Sequence, residues 1–197
     1  RFFRVAIVSP VDVVCMRCLR QITRIVYTHD VVHRIKILLA DEPTTALDAT
    51  VQIQVLLLLK QLQKELELSV IFVTHDIGVA IEIGDRIAVM YGGQIVETGP
   101  LADVVRSPQH PYTQGLMSST IHAASRGGRL QAIPGTPPNL SAPPHNCTFA
   151  PRCAYAQAEC LNNLPEETIF SPGRTSRCAR IGAWGDQDFG IASNSAT

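Results

Sequence analysis

The stretch Lys36-Ile37-Leu38-Leu39-Ala40-Asp41-Glu42-Pro43-Thr44-Thr45-Ala46-Leu47-Asp48 decides how this chain is read. Its apolar run has the character of a buried parallel strand. That strand ends in two adjacent carboxylates, followed by Pro and a short loop closed by Asp48. Two acids at a strand tip are costly to bury unless they bind a cation or move a proton. Phosphoryl transfer needs both services, a carboxylate near Mg²⁺ and another that polarises the attacking water. Asp-Glu-Pro alone would serve equally well as a strand-to-helix turn with capping acids. The full string through Asp48 favours the chemical reading.

Outward from this stretch the pattern is regular. Ile35 to Ala40 reads as a strand and Ala49 to Leu66 as a helix, with Val51, Val55, Leu58, Leu59, Leu62 and Leu66 at helical spacing. Ser69 to Thr74 reads as a second strand, and Asp76 to Ile83 as a short helix. Arg86 to Tyr91 and Gln94 to Glu97 suit a hairpin around Gly92-Gly93. Leu101 to Arg106 reads as a helix, and His110-Pro111-Tyr112-Thr113 starts another, with Pro near its first position. Alternating strands and helices imply an α/β fold with a mostly parallel sheet. Pro134 to Pro144 has the composition of an extended linker. The end from Gly182 is small and polar, the composition of a frayed tail.

The bulk properties narrow the classes. The 197 residues carry no formal net charge, so no electrostatic case exists for nucleic acid. Hydrophobic residues make up 46% of the chain, enough for a core, while no apolar run has the length of a membrane-spanning helix. The start, Arg1 to Val8, imitates a signal peptide only weakly. The expectation is a cytosolic protein whose membrane contact comes through a partner.

The quoted stretch resembles the Walker B motif and D-loop of ATP-binding cassette (ABC) ATPases. Val70-Ile71-Phe72-Val73-Thr74-His75-Asp76 is similar to their switch-histidine segment, with His75 standing 33 residues after Glu42, beyond one helix. The resemblance implies an ABC-type, P-loop NTPase-like domain. It makes Asp41 a Mg²⁺ ligand through water, Glu42 the general base, and His75 the contact to the γ-phosphate and attacking water. Asp48 becomes a D-loop residue reaching a second ATPase subunit. Thr44 and Thr45 are read as loop residues, and Tyr91 to Gly99 as structural strands.

The string Ser107-Pro108-Gln109-His110-Pro111-Tyr112-Thr113-Gln114-Gly115-Leu116 resembles one branch of the family, the ATPase of oligopeptide and dipeptide importers. Ile133 to Pro138 and Cys147 to Cys153 fit the same extension. The branch implies ATP and Mg²⁺ as ligands, two integral-membrane permeases and indirectly a substrate-binding protein as partners, and a peripheral site on the cytoplasmic face of the inner membrane. Four cysteines, Cys147, Cys153, Cys160 and Cys178, follow a C-x5-C-x6-C-x17-C spacing, unlike the C-x2-C pairs of zinc ribbons. They are candidates for an iron–sulfur cluster, with zinc second and four reduced thiols as the plain alternative. Some members of the branch carry a 4Fe–4S cluster at a similar pattern.

No Gly-x-x-x-x-Gly-Lys-Ser/Thr loop and no Leu-Ser-Gly-Gly-Gln signature precede the Walker B-like strand in these residues. The chain is therefore divided as 1–34, an aberrant or out-of-frame segment; 35–106, the C-terminal part of an ABC ATPase domain; 107–180, a loop-rich, Cys-containing importer extension; and 181–197, a disordered tail. Cys15 and Cys18 are treated as incidental. The expected function is part of an ATP-hydrolysing subunit energising peptide import, unable to hydrolyse ATP unaided. The alternatives are an inactive remnant and a non-enzymatic metal-binding or assembly module.

Overall fold

The computed structural model describes residues 4–8, 37–124, 133–139 and 141–182. Most of the segment 1–34, the start of the expected strand at Ile35, and the tail beyond 182 lie outside the described residues. The chain forms two compact units, residues 1–95 and 96–197.

The first unit is a parallel α/β layer. Its strands are β1 (Arg4–Val8), β2 (Ile37–Asp41), β3 (Ser69–Thr74) and β4 (Arg86–Tyr91). They lie in the order β2-β3-β1-β4, each pair parallel. Between β2 and β3 runs helix α1 (Ala49–Leu66), and between β3 and β4 helix α2 (Ile77–Ile83). Each begins at an aspartate. Asp48 accepts from the N–H groups of Thr50 and Val51, and Asp76 from those of Gly78 and Val79. Such caps satisfy backbone donors that a helix cannot pair internally. On one face of the sheet Ala40, Val70 and Phe72 pack with Leu56, Val79 and Ile83, flanked by Leu38 and Leu59. Sheltering β3 and β4 on both faces explains their continuous apolar sequence.

Two features of this unit were not read from the sequence. Arg4–Val8, set aside as part of an aberrant segment, is a strand between β3 and β4. Five residues with one Arg and no alternation gave no periodic signal, and only pairing on both sides makes them a strand. The buried face of α1 is also displaced from the expected one. Leu56 and Gln63 are its buried residues, while Val51, Leu58 and Leu66 are exposed. Apolar residues surround most of the helix, so their spacing could not select a face.

The second unit carries β5 (Gln94–Pro100, entered from Gly92-Gly93, both at positive φ), α3 (Leu101–Arg106) and α4 (Pro111–Ala124). A 3₁₀ turn at Ala150–Arg152, helix α5 (Ala158–Asn162), β6 (Thr168–Ser171) and β7 (Arg174–Ser176) follow. β7 pairs antiparallel with β5, Glu97 opposite Ser176, and with β6. The Pro-rich stretch is tied back by Arg152, whose guanidinium donates to the carbonyls of Pro134 and Ile133 at 2.7 and 2.8 Å. No helix among the described residues is long and apolar enough to cross a membrane.

Candidate functional site

The parallel pairing of β2 with β3 puts their C-terminal ends side by side, Asp41 opposite Val73. One further backbone bond, from the Glu42 N–H to the Val73 carbonyl at 2.9 Å, extends the ladder past Asp41. Ligands collect outside the carboxyl ends of strands in open α/β sheets. Glu42 stands there and His75 follows β3 directly. The Nδ1 of His75 lies 2.8 Å from Oε1 of Glu42. An ionised carboxylate only accepts, so this geometry assigns the proton to Nδ1. The other oxygen, Oε2, accepts from the Thr45 hydroxyl at 2.6 Å.

The backbone is strained at this point. Glu42 has φ of 44° and Ala46 of 64°, a left-handed conformation that costs a non-glycine residue about 1 kcal/mol or more. Asp48 then ends the loop as the cap of α1. The Thr45 hydroxyl, and after it His75, hold the Glu42 carboxyl below its usual range. At neutral pH it is an ionised acceptor at a strand tip, able to orient water or a cation. His75 is the more open partner, its side chain 59% exposed against 29% for Glu42. The sequence brought Glu42 and His75 into one site but read Thr45 as a loop residue. Its spacing of three from Glu42 across Pro43 was the available signal. Asp41 and Asp48 stand on either side of Glu42 in sequence, Asp41 at the end of β2 and Asp48 as the helix cap.

A second cluster lies in the other unit. Cys147, Cys153, Cys160 and Cys178 all line one small pocket, with His110 and Phe149 among its other walls. The four are unpaired thiols. The Cys147 N–H donates to the Cys160 carbonyl at 3.1 Å, joining the two loops that bring them together. Backbone N–H groups reach three of the sulfurs, Tyr155 to Cys153 at 3.4 Å, Arg180 to Cys178 at 3.3 Å, and Phe149 and Ala150 to Cys147. Burial pushes the Cys178 thiol up to about 12 and raises Cys147 and Cys153 as well. Neutral thiols are therefore the resting form, and thiolates would need a cation to compensate their charge. Among the described residues no group of three or more His, Cys, Asp or Glu side chains is arranged to hold a metal ion. A single ion demands every sulfur at about 2.3 Å from one point, which is tighter than four thiols around a shared pocket.

Between β5 and these loops lies a buried node. Glu97 is fully buried and accepts from the N–H groups of Gln109 at 2.8 Å and His110 at 3.0 Å. Arg174 stands 3.5 Å away and donates to the Ser107 carbonyl at 2.6 Å. Burial raises the Glu97 carboxyl to about 7 against these compensating bonds. His110, also buried, accepts the Tyr112 N–H at Nδ1, 3.1 Å away, and burial lowers its pKa to about 3. Its ring packs 5.9 Å from Phe149, which meets Tyr112 edge-on at 5.5 Å. The His-Pro-Tyr-Thr string thus builds the start of α4 and the wall of the cysteine pocket.

Residues 96–160 match the family model described as the oligopeptide/dipeptide transporter, C-terminal region. The chain is 47% identical over 142 residues to the dipeptide transport ATP-binding protein DppD of Bacillus subtilis, covering 72% of this chain and 42% of DppD. It is 47% identical over 145 residues to the oligopeptide transport ATP-binding protein OppD of Salmonella typhimurium, covering 74% of this chain and 43% of OppD. A solved ATP-binding cassette dimer in a post-hydrolysis state with ADP and phosphate is 42% identical over 33% of this chain and 28% of its own, with a TM-score of 0.31, too low to bear on the fold. The chain spans less than half the length of these curated relatives. Over its matched part, the chain belongs to the C-terminal portion of the ABC importer ATP-binding proteins of the oligopeptide/dipeptide type.

Proposed function

We propose that this chain supplies the strand-tip chemistry of an ATP-hydrolysing subunit that energises peptide import through an ABC transporter. The observation that carries the reading is the Glu42–His75 contact of 2.8 Å at the ends of two paired parallel strands. Glu42 orients and deprotonates the attacking water, and its lowered pKa keeps it ionised for that task at neutral pH. His75, exposed beside it, is placed to turn from the carboxylate to the γ-phosphate oxygens. Asp41 is the residue that would hold Mg²⁺ through water, and the ion would supply neutralisation of phosphate charge there. Asp48 fixes the loop that reaches a second ATPase subunit. Thr45 is added to this set as the residue that aims the Glu42 carboxylate. This is catalysis by positioning and electrostatics, with no covalent intermediate on the protein.

Such a subunit works on the cytoplasmic face of the membrane, docked to two permeases that a substrate-binding protein supplies. The ATPase part is residues 35–106 and the importer extension 107–180. The phosphate cradle lies outside residues 37–182, so hydrolysis requires a longer polypeptide or a complementing one. The test is a hybrid in which residues 37–182 replace the matching stretch of DppD, expressed in cells lacking DppD. Restored uptake of labelled dipeptide is expected, and a folded, membrane-docked hybrid without uptake contradicts the assignment.

The cysteine pocket supports a second element, an iron–sulfur cluster on Cys147, Cys153, Cys160 and Cys178, ahead of zinc. Its role as a metal-binding module does not depend on hydrolysis. Anaerobic reconstitution with iron and sulfide should give a brown chromophore that Cys153→Ser loses. Colourless protein with neither iron nor sulfide refutes the cluster.

A further inference from the structure

Helix α1 carries an apolar stripe that the sheet does not use. Val51, Val55, Leu58, Leu62 and Leu66 follow one another at steps of four, three, four and four, which puts them on one side of the helix. The stripe runs for about 22 Å. Val51, Leu58 and Leu66 are exposed, Leu58 at 53%, and Val55 and Leu62 are half-buried. Lys60 stands on the opposite side, where its ammonium donates to the Glu82 carbonyl near the end of α2 at 3.1 Å. The stripe therefore faces away from α2 and past β2, which is the end strand of its layer among the described residues. Leu39 of β2, exposed on the sheet face opposite Leu38 and Ala40, adds apolar surface at the same edge. Ile53 and Leu57 are exposed as well, but they lead only into Lys60, Gln61 and Lys64.

We propose that this stripe is the docking face for the preceding part of the ATP-binding protein, received as an apolar helix laid alongside α1. A helix side with these steps takes the ridges of a second helix into its grooves. An end strand with bare apolar surface on both sides of the sheet is where an α/β layer continues. The relatives have the chain to supply the continuation. The match covers 42% of DppD, which leaves more than half of that protein outside it, and the matched part is the C-terminal portion. The inference rests on the reading of this chain as part of an importer ATPase and adds the surface through which the two parts meet.

The experiment places Leu58→Cys in the whole chain and in the DppD hybrid carrying residues 37–182, and times alkylation of that position by N-ethylmaleimide with peptide mass spectrometry. Leu57→Cys, off the stripe, is the control. Position 58 is expected to react quickly in the whole chain and roughly tenfold or more slowly in the hybrid, with position 57 fast in both. Equal rates at positions 57 and 58 in a folded hybrid overturn the inference. Slow reaction at position 58 in the whole chain alone also overturns it, and sedimentation then tells a second copy from the chain's own remaining residues as the cover. Dipeptide uptake by the hybrid is scored separately, so a protected position 58 without uptake keeps the docking face and contradicts the ATPase reading. If the hybrid does not fold, the tagged whole chain is co-expressed with the separate portion of DppD that precedes the match. Copurification that Leu58→Glu abolishes and Leu57→Glu retains supports the face. Copurification indifferent to Leu58→Glu, or none at all, overturns it.

Discussion

Replacing Glu97 with Gln should change how stability depends on pH in a way that no surface carboxylate could. Glu97 titrates at about 7 in the fold and ordinarily at 4.5. Between those values the folded chain holds a proton that the unfolded chain has released, so this group's contribution to stability falls as pH rises. From pH 5 to pH 8 the loss covers two pKa units, about 3 kcal/mol at 1.4 kcal/mol per unit. His110 works in the opposite sense. Its pKa is about 3 when folded and ordinarily 6.5. Below 6.5 the unfolded chain binds the extra proton, so stability rises with pH, by about 2 kcal/mol from pH 5 to 6.5. The two nearly cancel in the native chain, leaving a net fall of about 1 kcal/mol between pH 5 and 8. Glu97→Gln removes only the falling part, and its stability should rise by about 2 kcal/mol over the same interval. The amide keeps one acceptor oxygen, while the carboxylate takes the Gln109 and His110 N–H groups on separate oxygens, so one of them then faces an NH₂; that cost is independent of pH and shifts the whole profile without changing its slope. Urea unfolding of both chains from pH 5 to 8, followed by circular dichroism, reads the difference, because every other carboxylate contributes equally to each. Parallel profiles for the two proteins would refute the account of this buried node.

Three further outcomes follow from named contacts. Leu56→Ala should cost about 2–5 kcal/mol, while Leu57→Ala, 60% exposed one residue later, should cost under about 0.5, by urea unfolding; equal effects would place the buried face of α1 elsewhere. Gly99→Ala puts a methyl group 2.8 Å from Val104 Cγ2 and 3.0 Å from Arg174 Cγ, and a loss of about 1–3 kcal/mol is expected in the same measurement, with a neutral result showing that both side chains yield freely. Thr45→Val removes the donor at Glu42 Oε2, so the Glu42 carboxyl should titrate at higher pH by ¹³C resonance, and an unmoved titration would deny Thr45 its role.

Much of this was legible before any coordinates. The ranges of α1, β3 and α3 follow from apolar spacing closed by capping aspartates or Pro, and the juxtaposition of Glu42 with His75 follows from two strand tips separated by one helix. What escaped has physical causes. Ile53, Val55, Leu56, Leu57, Leu58 and Leu59 crowd both sides of α1, so periodicity could not say which side meets the sheet. β1 is held by neighbours on both edges, information that no window of five residues contains. Glu97 sits next to Thr98 and Gly99 like a solvent-facing acid at a strand end, yet it is buried because Gln109, His110 and Arg174 converge on it from later in the chain. The meeting of four irregularly spaced cysteines in one pocket depends likewise on loop closure, which spacing alone does not encode.

The central claim is that Glu42 activates water and His75 assists at the same site. It is tested most directly by single-turnover ATP hydrolysis in the DppD hybrid carrying residues 37–182. Glu42→Gln should retain bound ATP and closed dimers while abolishing phosphate release. Turnover at the unsubstituted rate in that variant would contradict the assignment of Glu42 as the base.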